Sequence, residues 1–154
     1  MDFKKYGVLY IDDEEKNLQT FQITYKKYYT VYIADSVKEA FKILMNNPMH
    51  VVITDQQMPE MTGTDFLQRI HYNYPDLVRM ILTAHADQDV IIKALNEYNV
   101  FGFILKPWDN IDLKVKIDQA LEKYEKDARY RIKIKELEDE IETLKEELAK
   151  KNLV

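Results

Sequence analysis

The sequence predicts an α/β fold, a doubly wound five-stranded parallel sheet with helices on both faces. Three observations carry this expectation. Five short apolar runs alternate with segments whose apolar residues recur every three or four positions. The runs are apolar almost throughout, as expected of strands buried on both sides. Four of them end on acidic, hydroxyl or cationic residues, which parallel strands would bring to one edge, the edge where such sheets place ligands.

The elements follow in order. Tyr6-Gly7-Val8-Leu9-Tyr10-Ile11 reads as a strand ending on Asp12-Asp13. Leu18, Phe21, Tyr25 and Tyr28 then recur at helical spacing, and Thr30-Val31-Tyr32-Ile33-Ala34 is a β-branched and aromatic strand. Ser36-Val37-Lys38-Glu39 has the form of a capping box, opening a helix with Val37, Ala40, Phe41 and Leu44 on its buried stripe. That helix should stop before Pro48. His50-Val51-Val52-Ile53-Thr54 runs to Asp55, a loop carries Met58-Pro59-Glu60-Met61-Thr62-Gly63, and Phe66, Leu67, Ile70 and Tyr74 mark a helix ended by Pro75. Val78-Arg79-Met80-Ile81-Leu82 leads to Thr83. Asp87 can cap a helix bearing Val90, Ile91, Ala94, Leu95 and Tyr98, and Phe101-Gly102-Phe103-Ile104-Leu105 ends on Lys106-Pro107. From Ile111 to Val154 there is neither proline nor glycine. The fifth helix can therefore run unbroken for about 40 residues, or roughly 60 Å, and only its first part can lie on the sheet.

At 154 residues the chain has room for one domain with a real core and a modest appendage. A net charge of -5, with no basic stripe, argues against direct nucleic-acid binding or attraction to anionic lipid. No apolar stretch approaches the roughly 20 residues of a membrane helix, and the start Met1-Asp2-Phe3-Lys4-Lys5 leads into only a short apolar run, so neither membrane spanning nor secretion is expected. The lack of cysteine excludes a disulfide framework and a thiolate metal site, and suits the cytoplasm.

The strand-end residues have a joint chemistry. Asp12, Asp13 and Asp55 form the kind of oxygen nest that a hard cation such as Mg²⁺, or Mn²⁺, prefers. Without a cation the three charges should repel and resist full ionisation. Asp55, alone at its strand end, is the natural nucleophile toward a phosphoryl donor. Thr83 can donate a hydrogen bond to a phosphate oxygen, and Lys106 can approach from the other side as a point charge.

On these residues the chain resembles the receiver domain of two-component response regulators. The resemblance rests on Asp12-Asp13, Asp55 with Met58-Pro59 and Gly63, Thr83-Ala84, and Lys106-Pro107, over roughly residues 4 to 124. It implies a flavodoxin-like strand order of 2-1-3-4-5 and a Lys106-Pro107 bond that is often cis. It implies Mg²⁺ held directly by Asp13, Asp55 and the backbone carbonyl of Gln57, with Asp12 acting mainly through water. Asp55 would take phosphate from a partner histidine kinase or phosphotransfer protein, with Thr83, Ala84 and Lys106 binding it. Thr83 and Phe103 would form the switch, Phe103 reporting by packing because it lacks a hydroxyl. Gln57 and His85 would border the phosphoryl group and set its lifetime. His50 and His71 have no second ligand at metal spacing and read as surface or core-edge residues.

Residues 1–124 are thus expected to form the receiver, and residues 125–154 a helical extension. In the extension Ile134 and Ile141 fall at heptad position a and Leu137 and Leu144 at d, with Leu148 continuing the stripe, a choice that favours a parallel homodimer. Lys133 at g would face Glu138 at e of the other chain, and Glu140 would face Lys145. Lys126 would repel Arg131, and Lys151 falls at a d position. The chain reads as the front of a longer protein whose output domain follows the helix; Lys106-Pro107-Trp108 before a long charged helix leans toward an enzymatic output as in similar proteins, and a free-standing regulator acting by contact is the alternative. Two other functions stay open: a phosphohydrolase with an aspartyl intermediate, which should carry a second acid where Gln57 stands, and a coiled-coil adaptor that takes no phosphate.

Overall fold

A computed structural model of the chain describes residues 2–84 and 88–152, without the side chains of Gln88 and Ile91. His85, the Asp87 cap and the Ile91 side chain lie outside that description. The elements alternate as β1 Gly7–Ile11, α1 Glu15–Tyr25, β2 Thr30–Ala34, α2 Val37–Asn46, β3 Val51–Asp55, α3 Gly63–Asn73, β4 Val78–Thr83, α4 Gln88–Glu97, β5 Gly102–Leu105 and α5 Asn110–Asn152. All strand pairings are parallel and the order is β2-β1-β3-β4-β5. The flavodoxin-like expectation therefore holds.

Alternate residues of the strands feed two cores, as a two-residue side-chain period requires. Val8, Tyr10, Val51, Ile53, Met80 and Leu82 pack with Leu18, Phe21 and Tyr25 of α1 and Leu113, Ile117 and Leu121 of α5. Leu9, Ile11, Val52 and Ile81 pack with residues of α2, α3 and α4 on the other face. The expectation of strands buried on both sides holds for β1, β3 and β4. It fails for β2 and β5, which are the sheet edges and remain partly exposed.

Local chemistry sets the element ends. The Ser36 hydroxyl accepts the Glu39 N–H at 3.2 Å, and that of Thr62 accepts the Asp65 N–H at 3.2 Å. Asp109 Oδ1 accepts the N–H groups of Ile111 and Asp112, starting α5. Because α1 ends at Tyr25, the expected helical position of Tyr28 is wrong: it sits in the following turn, exposed, while Tyr29 is buried. Tyr25 and Tyr29 then fasten α5, donating to the Asn110 carbonyl at 2.8 Å and to Asp118 Oδ1 at 2.5 Å.

The chain divides into two compact units, Met1–Tyr124 and Glu125–Val154. In the second, Ile134, Leu137, Ile141, Leu144 and Leu148 are exposed. No helix among the described residues is long and apolar enough to cross a membrane.

Candidate functional site: an acidic edge with one lysine

The parallel topology brings the ends of β1, β3, β4 and β5 together. Asp12 follows β1, Asp55 ends β3, Thr83 ends β4, and Lys106 follows β5. The ladder is closed at this edge by Asp12 N–H on the Ala34 carbonyl at 3.1 Å and Lys106 N–H on the Thr83 carbonyl at 2.8 Å. Asp12, Asp13 and Asp55 each present an oxygen, and these oxygens lie within 4.8 Å of one another. An all-oxygen, triply acidic cluster of that size fits a hard divalent cation. Asp13 is exposed, whereas Asp12 and Thr83 are fully buried and Asp55 nearly so.

Lys106 holds the centre. Its Nζ lies 2.7 Å from Asp12 Oδ2 and 3.2 Å from Asp55 Oδ1. Burial opposes its charge, but Asp12 and Asp55 outweigh burial and raise its pKa. The carboxylates divide. Burial, followed by the charges of Asp12 and Asp13, raises the Asp55 pKa, with Lys106 partly offsetting it. Burial would raise Asp12 too, yet hydrogen bonds from Lys106, the Tyr10 hydroxyl and the Glu14 N–H hold its carboxyl below the usual range. The expected resistance to full ionisation therefore falls on Asp55 and not on Asp12, because Asp12 has donors that Asp55 lacks.

Those donors include two residues the sequence reading passed over. Tyr10, fully buried on β1, donates its hydroxyl to Asp12 Oδ2, and Asn17 of α1 donates Nδ2 to the same oxygen at 3.1 Å. Asp12 Oδ1 accepts the Glu14 N–H at 2.9 Å. The signal for Tyr10 was present, since residues two apart on a strand share a face. Burial and the neighbouring acid push the Tyr10 hydroxyl strongly upward, so it acts as a donor.

Among the other expected site residues, Gln57 is exposed just beyond Asp55, and Ala84 is exposed beside Thr83. Phe103 is 37% exposed on the outer strand. His85 lies outside the described residues. Lys106-Pro107 is a cis peptide. Gly63 lets α3 start against the Asp55 backbone: its N–H bonds the Gln56 carbonyl at 2.9 Å, and a Cβ there would strike the Asp55 carbonyl oxygen. A groove of about 440 Å³, lined by Asn17, Ala84, Lys106, Pro107 and Trp108 among others, opens beside the lysine. Away from this edge, His50 is half-buried, its Nδ1 accepting the Gly7 N–H at 3.0 Å.

The response regulator receiver domain model matches residues 8–118. The hydrogenase transcriptional regulatory protein HoxA of Cupriavidus necator is 33% identical over 122 residues, which are 79% of this chain and 25% of that protein. The transcriptional regulatory protein GlrR of Escherichia coli is 32% identical over 123 residues, 79% of this chain and 28% of that protein. The chain thus spans about a quarter of the length of these relatives. Among solved structures, the signal receiver domain of an HD domain-containing protein from Pseudomonas fluorescens superposes with a TM-score of 0.76 at 32% identity, covering 80% of this chain and 99% of that one. A structure described as adenylate cyclase from Rhodopirellula baltica gives 0.80 at 28% identity, covering 85% and 98%. Receivers of this kind are signalling domains that bind Mg²⁺ at an acidic pocket and work with histidine kinases or phosphotransfer proteins. With this fold and this acidic edge, the chain belongs to the response regulator receiver domain family.

Proposed function

We propose that residues 1–124 act as a phosphoacceptor in which Asp55 takes a phosphoryl group from a partner's phosphohistidine. The observation that carries this reading is the half-buried Lys106 set between Asp12 and Asp55, within 3.2 Å of both. An Asp55 carboxylate oxygen attacks phosphorus, the phosphorus–nitrogen bond breaks, and its electron pair returns to the partner imidazole. The raised Asp55 pKa does not prevent this, because Lys106 is close enough to favour the carboxylate. Asp12, Asp13, Asp55 and the Gln57 carbonyl would hold Mg²⁺, which when bound supplies positive charge at the transferring group. Lys106 swings its charge toward the new phosphoryl oxygens, and Thr83 and the backbone at Ala84 donate to them. Gln57 and His85 set how long the group survives.

Phosphorylation adds about -1.5 to -2 charges and three acceptor oxygens at this edge. Thr83 and Phe103 are the switch: with Thr83 engaged by phosphate, the partly exposed Phe103 repacks and alters the surface of β5, α4 and α5. The shift is as large as the difference in phosphate's affinity for the two packings.

Residues 125–154 join two copies through a parallel coiled coil with Ile134, Leu137, Ile141, Leu144 and Leu148 in its seam. Their exposure in a single chain supports this, as do the attractive g–e pairs Lys133 to Glu138 and Glu140 to Lys145. Within one chain Lys133 meets Glu136 at 4.0 Å, an exposed contact too weak to compete strongly. The dimeric helix then carries the state of the receiver onward to an output. The relatives range from transcriptional regulators to an HD domain-containing protein, so the output is not specified by the receiver.

Incubation with a small phosphodonor and Mg²⁺ tests the reading. One phosphoryl group per chain, lost in Asp55→Asn, is the expected result. Continuous turnover of the donor would instead indicate a phosphohydrolase, and no labelling would indicate an adaptor.

A further inference from the structure

We propose that Tyr10 is a positioning residue for the cation site, its buried hydroxyl fixing the Asp12 carboxylate in the orientation that cation binding needs. The inference rests on the reading of Asp12, Asp13 and Asp55 as that site.

Asp12 Oδ2 has three donors: the Tyr10 hydroxyl, Asn17 Nδ2 at 3.1 Å and Lys106 Nζ at 2.7 Å. They differ in permanence. Lys106 is shared with Asp55 and is the group that must leave Asp12 to meet a phosphoryl group. Tyr10 cannot leave. It is fully buried, and its ring packs on Phe21, with centroids 4.6 Å apart, and edge-on against Trp108 at 5.9 Å. A buried tyrosine hydroxyl needs an acceptor, and Asp12 supplies it. When Lys106 departs, Tyr10 and Asn17 therefore keep Oδ2 satisfied and the Glu14 N–H keeps Oδ1 in place. The carboxylate neither turns nor loses all its compensation. Hydrogen-bonded partners of metal-binding carboxylates have this orienting role generally, and losing one typically lowers metal affinity by about 10- to 100-fold.

Calorimetric titration of the full chain with MgCl₂ tests the role without any phosphodonor. Tyr10→Phe removes the hydroxyl and keeps the ring; Tyr10→Leu is a second hydroxyl-free variant should the first fail to fold. Both are expected to bind Mg²⁺ about tenfold more weakly than the wild type. Phe21→Leu loosens the packing around the Tyr10 ring and leaves the hydroxyl, so it should lower the melting temperature while costing clearly less Mg²⁺ affinity than Tyr10→Phe. Hydroxyl-free variants that bind within about twofold of the wild type would overturn the proposal, as would Phe21→Leu losing as much affinity as Tyr10→Phe, which would mean packing alone. If the wild type itself takes up no Mg²⁺, the reading of the acidic cluster fails and the role of Tyr10 goes with it.

Discussion

Gly63 is where a single methyl group should damage both the fold and the site. It opens α3, its N–H is bonded to the Gln56 carbonyl, and a Cβ placed on it would collide with the Asp55 carbonyl oxygen. The same atom would lie 3.0 Å from Thr54 Cγ2 and 3.1 Å from the Asp55 carbonyl carbon. No glycine in the described chain has positive φ, so the obstacle is contact rather than backbone conformation. Forcing a methylene-sized group into packed surroundings costs about 1–3 kcal/mol. The helix propensity gained by alanine offsets at most about 1 kcal/mol, and less at the first helical position. Gly63→Ala should therefore lose about 1–2 kcal/mol, or about 0.5–1 M in urea midpoint for a typical small-domain slope. Because the displaced backbone belongs to Asp55, labelling by a small phosphodonor should slow as well. Gly102 is the control, since a Cβ there meets nothing within 4 Å. Gly102→Ala should be neutral or stabilising by up to about 1 kcal/mol. Urea unfolding followed by circular dichroism at one protein concentration measures both. Equal stability of Gly63→Ala and wild type, or equal losses in the two variants, would refute the steric explanation.

Other perturbations give separate readings. Burial holds the His50 pKa below its ordinary 6.5. Its contribution to stability is thus complete above the unfolded value and is lost as pH falls from about 6.5 through the folded one. Wild-type urea midpoints should drop more than those of His50→Gln between about pH 7.5 and 5.5, and parallel curves would contradict the assignment. Tyr29→Phe removes the 2.5 Å hydrogen bond to Asp118 and should cost about 1–2 kcal/mol by urea unfolding; no loss would mean that this bond does not fasten α5. Charged residues at two seam positions, Leu137→Lys with Leu144→Lys, should convert a dimer into a monomer in sedimentation without changing labelling at Asp55. A wild-type chain that sediments as a monomer at micromolar concentration would remove the coiled coil.

The fold and the acidic edge were legible because both follow from pattern. Once the strands are parallel, the residues after Ile11, Thr54, Leu82 and Leu105 must share an edge, whatever happens elsewhere. Features that depend on where an element stops, or which strand lies outermost, were not. Tyr28 and Tyr29 exchange roles because α1 ends one turn sooner than the apolar spacing allows. Ile104 stays partly exposed although its strand is apolar, since β5 is an edge. Arg79 sits inside an apolar run, 1% exposed, with its guanidinium on the carbonyls of Tyr74, Tyr98 and Asn99. Those acceptors come from the ends of two helices, and no local pattern brings them together. Tyr10 was overlooked for the opposite reason: in an apolar strand an aromatic residue reads as core, although its place two residues before Asp12 put its hydroxyl on the same face as that acid.

Peptide mass mapping after exposure to a small phosphodonor with Mg²⁺ tests the central assignment most directly. The phosphoryl group should be found on the segment containing Asp55 and nowhere else, and should vanish when the cation is withheld. A label on Asp12, Asp13 or a histidine, or one that forms equally well without a divalent ion, would contradict it.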